Sequence, residues 1–232
     1  MGNIFGGVLL NDELIQSINN DFQITPVGTI EFIKAWIEQV YNIESDEVLR
    51  PLNVPKCFID KSCSGRTVKN VSSKKEIEEF LKDKEEIFVK SNKIIKSSYN
   101  GIVTKDSVDK LKDNYEYQIS EKVNIISEYR VFVYKNEIRG IQYYSGDFKV
   151  FPNIRSIEFF IENYKDSPEA YTLDVYIKDD GETYVMEAHE FYSCGLYGFS
   201  DYEVLPYMLH RTWNNIKKRI HEKLNIVKEI HN

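Results

Sequence analysis

Two acids in one hairpin carry the strongest chemical signal in this chain. Within Ala170–Gly198, AYTLDVYIKDDGETYVMEAHEFYSCGLYG, strand-like runs at Tyr171–Ile177 and Thr183–Ala188 flank Asp179-Asp180-Gly181, a hairpin turn signal. Asp174 stands between Leu173 and Val175, and Glu187 between Met186 and Ala188. An unpaired carboxylate is costly to bury. Two brought side by side repel unless a cation lies between them. That predicts a divalent metal site with hard oxygen ligands, of the kind that holds Mg²⁺ on phosphates. The competing reading is an edge hairpin whose acids face water.

Cationic side chains stand upstream. Lys90 ends the apolar run Phe88-Val89, and Lys93 and Lys96 follow before the loop Ser97–Gly101. A strand lysine aimed into a cleft partners phosphate oxygens, whereas one at the surface snorkels into water. The loop's backbone N–H groups could lie over phosphates, although it holds one glycine. Glu128 and Arg130 share a face of one strand by the two-residue period. They form an internal ion pair, the simpler expectation, or a split site in which the acid takes sugar hydroxyls and the guanidinium takes phosphate. Cys194, in Ser193-Cys194-Gly195, has no evident base and is expected to be a small buried or loop thiol.

The elements that must position these groups can be read along the chain. Short strands are expected at Phe22–Val27, Glu86–Lys90, Gly101–Thr104, Tyr115–Val123, Ser127–Tyr134 and Ile138–Tyr144, the last two joined by a turn at Lys135-Asn136-Glu137. Thr29 caps a helix carrying Phe32, Ile33, Trp36, Ile37 and Val40. Further helices are expected at Ser73–Lys82, Ser107–Lys112, Ile154–Tyr164 and Val204 to about Ile230, with Arg50–Pro55 extended. Helices scattered among hairpin-connected strands predict an α+β fold with largely antiparallel sheets. No Gly-x-Gly-x-x-Gly or Walker-type loop occurs, which excludes the commonest nucleotide folds.

The 232 residues suit one large domain or two small joined ones, and 42% hydrophobic content supplies a core. No run approaches a membrane span, and Met1–Leu10 shows no secretory signal. A net charge of −7 argues against nucleic acid as a partner. The local strip Lys56, Lys61, Arg66, Lys69, Lys74 and Lys75 is expected to be a solvated surface. Three cysteines, of which Cys57 and Cys63 lack zinc-ligand spacing, fit a reducing cytoplasm.

Five segments together resemble the ATP-grasp superfamily: FVKSNKIIKSSYNGIV (Phe88–Val103), YQISEKVNIISEYRVFV (Tyr117–Val133), YTLDVYI (Tyr171–Ile177), YVMEAHEFYSCGLYG (Tyr184–Gly198) and VLPYMLHRTWNNI (Val204–Ile216). The likeness is to its short, divergent bacterial and phage branch, related to the eukaryotic factor that assembles translation initiation factor two. The resemblance implies a nucleotide held between two α+β lobes, with residues 1–84 as a substrate-side segment and 85–232 as the ATP-grasp region. It implies that Lys90 and Lys96 contact the nucleotide. Ile119–Val123, with Glu121, Lys122 and Val123, would read adenine largely through backbone groups. Glu128 would bind ribose, Arg130 would lie near the transferred phosphoryl group, and Asp174 and Glu187 would hold the metal. Arg130 and Lys96 would then be catalytic. The chain departs from the family's Glu-x-Asn pattern at Glu187-Ala188-His189; imidazole suits Mn²⁺ or Zn²⁺ better than Mg²⁺, so His189 ligates, acts as an acid or base, or packs.

The activity so implied is an ATP-dependent carboxylate–amine ligase working through an acyl phosphate on a peptide or protein, with ATP and Mg²⁺ or Mn²⁺. A second reading is an ATP-binding assembly or interaction protein that joins nothing. A third, nucleotidyl transfer to RNA through Lys90, fits the acidic charge poorly.

Overall fold

Alternation of buried and open residues builds two four-stranded antiparallel sheets. The computed structural model describes residues 24–93 and 100–230. The first sheet contains β1 (Val68–Val71), β2 (Glu86–Ser91), β3 (Gly101–Thr104) and β4 (Tyr117–Glu121), in the order β1-β4-β2-β3. The second contains β5 (Ile125–Tyr134), β6 (Glu137–Gly146), β7 (Ala170–Lys178) and β8 (Thr183–Glu190), in the order β6-β5-β7-β8. Residues 122–124 lead directly from one sheet into the other.

The helices are α1 (Ile30–Tyr41), α2 (Lys61–Ser64), α3 (Lys74–Leu81), α4 (Ile154–Asn163) and α5 (Leu205–Ile230). Thr29 caps α1 by accepting the Phe32 N–H, and Ser73 and Glu76 form a reciprocal capping box on α3. Apolar residues of α3, Ile77, Phe80 and Leu81, close one face of the first sheet on Ile87, Val89, Tyr117 and Ile119. On the second sheet, Val131, Val133, Leu173 and Val175 pack against Ile157, Phe160 and Ile161 of α4. Its other face divides. Phe132 lies under the start of α5 with Phe191, Phe199 and Met208, whereas the rest carries polar groups. Trp36 of α1 and Trp213 of α5 anchor a further core.

Several expectations shift. Residues 24–27 form no strand, and the rest of the segment expected at Phe22–Val27 lies outside the described residues. The helix expected at Ser107–Lys112 shrinks to a 3₁₀ turn at Val108–Lys110. β1 and α3 precede residue 85 yet complete the first sheet and its core, so residues 68–84 join the unit that follows rather than a separate segment ending at 84. Arg66, expected at a solvated surface, is buried and donates to the carbonyls of Ser64, Val185 and Met186.

Gly146 closes β6 with φ +89, and a Cβ there would lie 2.1 Å from the Ile126 carbonyl oxygen. Gly181 in the β7–β8 turn has φ +83 but open space around it. Gly146→Ala is therefore expected to cost roughly 2 kcal/mol or more, and Gly181→Ala about 1 kcal/mol from backbone strain alone. Urea unfolding of both variants checks the order.

Candidate functional site

The polar face of the second sheet carries a row of charge across three strands. Arg130 on β5 lies opposite Asp174 on β7, and Asp174 lies opposite Glu187 on β8. The Arg130 guanidinium grips the carboxylate with two bonds, Nε to Oδ1 at 2.8 Å and Nη2 to Oδ2 at 2.7 Å. Asp174 is 2% exposed and Arg130 7%. Its Nη1 also donates to the Gly195 carbonyl at 3.3 Å. Glu187 accepts a hydrogen bond from Lys90, which reaches over from β2 of the first sheet. Alternation in β2 turns Ile87, Val89 and Ser91 into the buried layer, which leaves Lys90 on the face toward the second sheet. The cleft between the sheets is thus bridged by the side chains expected to handle phosphate and metal.

A β-bulge makes this row. From Ile177↔Thr183 to Val175↔Val185 the hairpin register is uniform, and continued unchanged it would set Met186 opposite Asp174. The register shifts between Asp174 and Val175, so that Glu187 takes that place. Arg66 holds the bulge from outside, donating to the Met186 carbonyl at 3.2 Å.

Burial raises the Asp174 carboxyl, to about 6, against the lowering pull of Arg130; the Glu187 charge adds to the rise. The same carboxylate holds the Arg130 guanidinium above its ordinary range, against the effect of burial. Burial pushes the His189 imidazole down to about 3, with Arg130 adding to the shift, so the ring is neutral. Burial pushes the Cys194 thiol up to about 12.

The expected residues separate into groups. Lys90, Arg130, Asp174 and Glu187 come together. Glu128 shares the face of Arg130 but does not pair with it: Arg130 is claimed by Asp174, and Glu128 instead accepts from the Tyr144 hydroxyl. The expected ion pair within β5 is therefore replaced by one across strands. The Glu121 carboxylate accepts the Thr67 N–H at 2.9 Å and lies 4.0 Å from Lys84, lining a groove beside α3 rather than the cleft. Lys122 pairs with Glu86, and Val123 follows in the link between sheets. Lys96 lies outside the described residues.

His189 is buried two residues beyond Glu187. Its Nδ1 is 3.0 Å from Cys194 Sγ, and Nε2 has no hydrogen-bond partner among the described residues. Among the described residues no group of three His, Cys, Asp or Glu side chains is arranged to hold a metal. The expected trio of Asp174, Glu187 and His189 is thus not assembled: the ring is turned to the thiol, while the two acids are held by cations.

Tyr144 and Tyr197 escaped the sequence reading. Their rings stack at 5.1 Å, and the Arg130 guanidinium lies 5.7 Å from the first and 5.2 Å from the second. Two register shifts between β5 and β6 hid Tyr144. Extended evenly from Tyr134↔Glu137, the hairpin would bring Tyr143 to Glu128.

Two antiparallel sheets bridged by a lysine, with an arginine–aspartate–glutamate row across the second, constitute the ATP-grasp fold. The chain belongs to an ATP-grasp domain family, the second family of its clade, whose model matches residues 64–206. Solved structures resemble it at low identity. The RimK domain ATP-grasp protein from Sphaerobacter thermophilus is 14% identical, with a TM-score of 0.47 over 84% of this chain and 79% of that one. The ATP-grasp ligase PsnB, complexed with minimal precursor, Mg and ADP, is 13% identical, with a TM-score of 0.46 over 69% of this chain and 54% of its own. N5-carboxyaminoimidazole synthetase from Staphylococcus aureus, complexed with ADP, is 12% identical, with a TM-score of 0.44 over 57% of this chain and 40% of its own. The chain spans about half the length of the first solved structures it matches, 40%, 55% and 53% of them. No curated protein matches the sequence. Among the described residues no helix is long and apolar enough to cross a membrane.

Removing Arg130 leaves Asp174 buried without its counter-charge. Arg130→Met is expected to lose about 3–5 kcal/mol of stability at pH 7.5. Because the folded carboxyl binds its proton more tightly than the unfolded one, part of that loss returns as pH falls through about 6. Urea unfolding at pH 5.5 and 7.5 reads the difference. Thiol labelling of native wild type at pH 8 should modify exposed Cys57 and spare Cys194 until denaturant is added.

Proposed function

We propose that this protein is an ATP-dependent carboxylate–amine ligase that acts through an acyl phosphate, with a peptide or protein as substrate. The observation that carries the reading is the Arg130–Asp174–Glu187 row met by Lys90 from the other sheet. It supplies two cations for phosphate oxygens and two carboxylates for a divalent metal in one cleft.

In the proposed reaction a substrate carboxylate oxygen attacks the γ-phosphorus of ATP, the bond to the β-phosphate oxygen breaks, and ADP leaves. An amine then attacks the acyl phosphate carbon and loses a proton, and phosphate departs as the amide forms. Lys90, Lys96 and Arg130 neutralise charge on the phosphoryl group in flight, so the protein's task is positioning and electrostatics. Glu128, oriented by the Tyr144 hydroxyl, takes ribose hydroxyls. The Glu121 carboxylate and N–H are both engaged by Thr67, so the adenine contacts fall to the backbone of Lys122 and Val123.

Asp174 and Glu187 suit Mg²⁺, for they are opposed hard-oxygen donors whose charge the fold already balances with cations. These two residues would hold it, and bound there it would neutralise phosphate charge and orient the transferred group. His189 is assigned a packing role beside Cys194.

Calorimetric titration of ATP with Mg²⁺ onto wild type and Glu187→Gln tests the site. Metal-dependent binding, weakened about a hundredfold or more by the substitution, is the expected result. Absence of binding to wild type would sink the proposal. ADP release that depends on an added amine acceptor separates a ligase from an assembly protein that holds ATP without joining anything.

A further inference from the structure

Every acid of the candidate metal site already has a counter-ion from this chain. Both Asp174 oxygens are taken by Arg130, at 2.8 and 2.7 Å, and a Glu187 oxygen is taken by Lys90. Two positive and two negative side chains cancel. These groups are far from water: Asp174 is 2% exposed and Arg130 7%, while the side chains of Glu187 and Lys90 are 14% and 21% exposed. A divalent cation entering alone would have to sit beside a guanidinium and an ammonium, or displace them with no anion to receive them. A polyphosphate entering alone would draw Lys90 and Arg130 toward its oxygens and strand two carboxylates in a poorly hydrated cleft. Entering together, the metal and the polyphosphate exchange every partner. The carboxylates trade ammonium and guanidinium for metal, and the cations trade carboxylate for phosphate.

We infer that Lys90 and Arg130 act as internal counter-ions that close this site to free divalent cations and make it select the metal–nucleotide complex. This rests on the ATP reading above and adds a selectivity that the reading does not require: many paired-carboxylate sites take their metal first. Lys90 is the discriminating residue, since it comes from the other sheet and its side chain is more exposed than that of Arg130. By linkage, whatever factor the nucleotide adds to metal affinity, the metal adds to nucleotide affinity.

Mn²⁺ serves as the probe, counted by loss of its aqua-ion electron-paramagnetic signal on titration into the full chain. The titration is run with and without saturating ADP and corrected for Mn–ADP measured without protein. Wild type is expected to bind free Mn²⁺ about a hundredfold or more weakly than Mn²⁺ with ADP. Lys90→Met should bind free Mn²⁺ about tenfold more tightly than wild type, because one repelling charge is gone. Lys90→Arg should behave as wild type. Equal binding of Mn²⁺ by wild type with and without ADP overturns the inference, as does Lys90→Met without a gain. Should Lys90→Met not fold, as judged by circular dichroism, the wild-type comparison decides by itself. Wild type that takes up no Mn²⁺ even with ADP overturns the proposed function itself, an outcome distinct from the other two.

Discussion

The two-bond contact between Arg130 and Asp174 is the interaction on which the rest of the site depends. β7 is buried along nearly its whole length, so a carboxylate at its centre has no access to bulk water. It is tolerated because a planar guanidinium meets both oxygens from the neighbouring strand. That pairing fixes the register of β5 against β7. The position of Glu187, the reach of Lys90 and the stacked tyrosines beside Arg130 all follow from it. Replacement by apolar residues would give an equally well-packed sheet. The charge is retained at a cost in desolvation, and such a cost is the physical mark of a functional site rather than of a stabilising one.

The two sheets are not merely adjacent. Gln118 of β4 clasps Val54, accepting its N–H at 2.8 Å and donating to its carbonyl at 3.0 Å. The preceding residue, Asn53, pairs through its backbone with Ala188 of β8 and through its side chain with Ser91 and Asn92 at the end of β2. The extended segment around Arg50–Pro55 therefore stitches the sheets together. The family match beginning at residue 64 and the placement of β1 in the first sheet agree on where the family's unit starts in this chain.

Much of this was legible in the residues. Alternation, the Asp179-Asp180-Gly181 turn and the Lys135-Asn136 turn, whose residues adopt φ of 53° and 62°, announced β5 to β8. What escaped has particular causes. Val68–Val71 reads Val-Lys-Asn-Val, too short to show a period. Pairing partners depend on bulges, and a bulge leaves no reliable mark in a sequence. The nearness of Asp174 and Glu187 was anticipated, but an even register would have set Met186 in the place of Glu187. The partner of Glu128 was missed for the same reason. Arg66 misled because a basic cluster says nothing about which member turns inward to satisfy carbonyls.

Arg66 also decides what kind of surface the second sheet presents to other chains. A sheet has two borders, and each is a row of backbone groups ready to accept a foreign strand. At β8 that row is spoken for: the Val185 and Met186 carbonyls receive Arg66, and the Ala188 N–H is given to Asn53. The contacts that steady the bulge beneath Glu187 thereby seal one border against strand-to-strand association. The seal and the geometry of the charged row share the same few atoms, so a change that loosens one exposes the other.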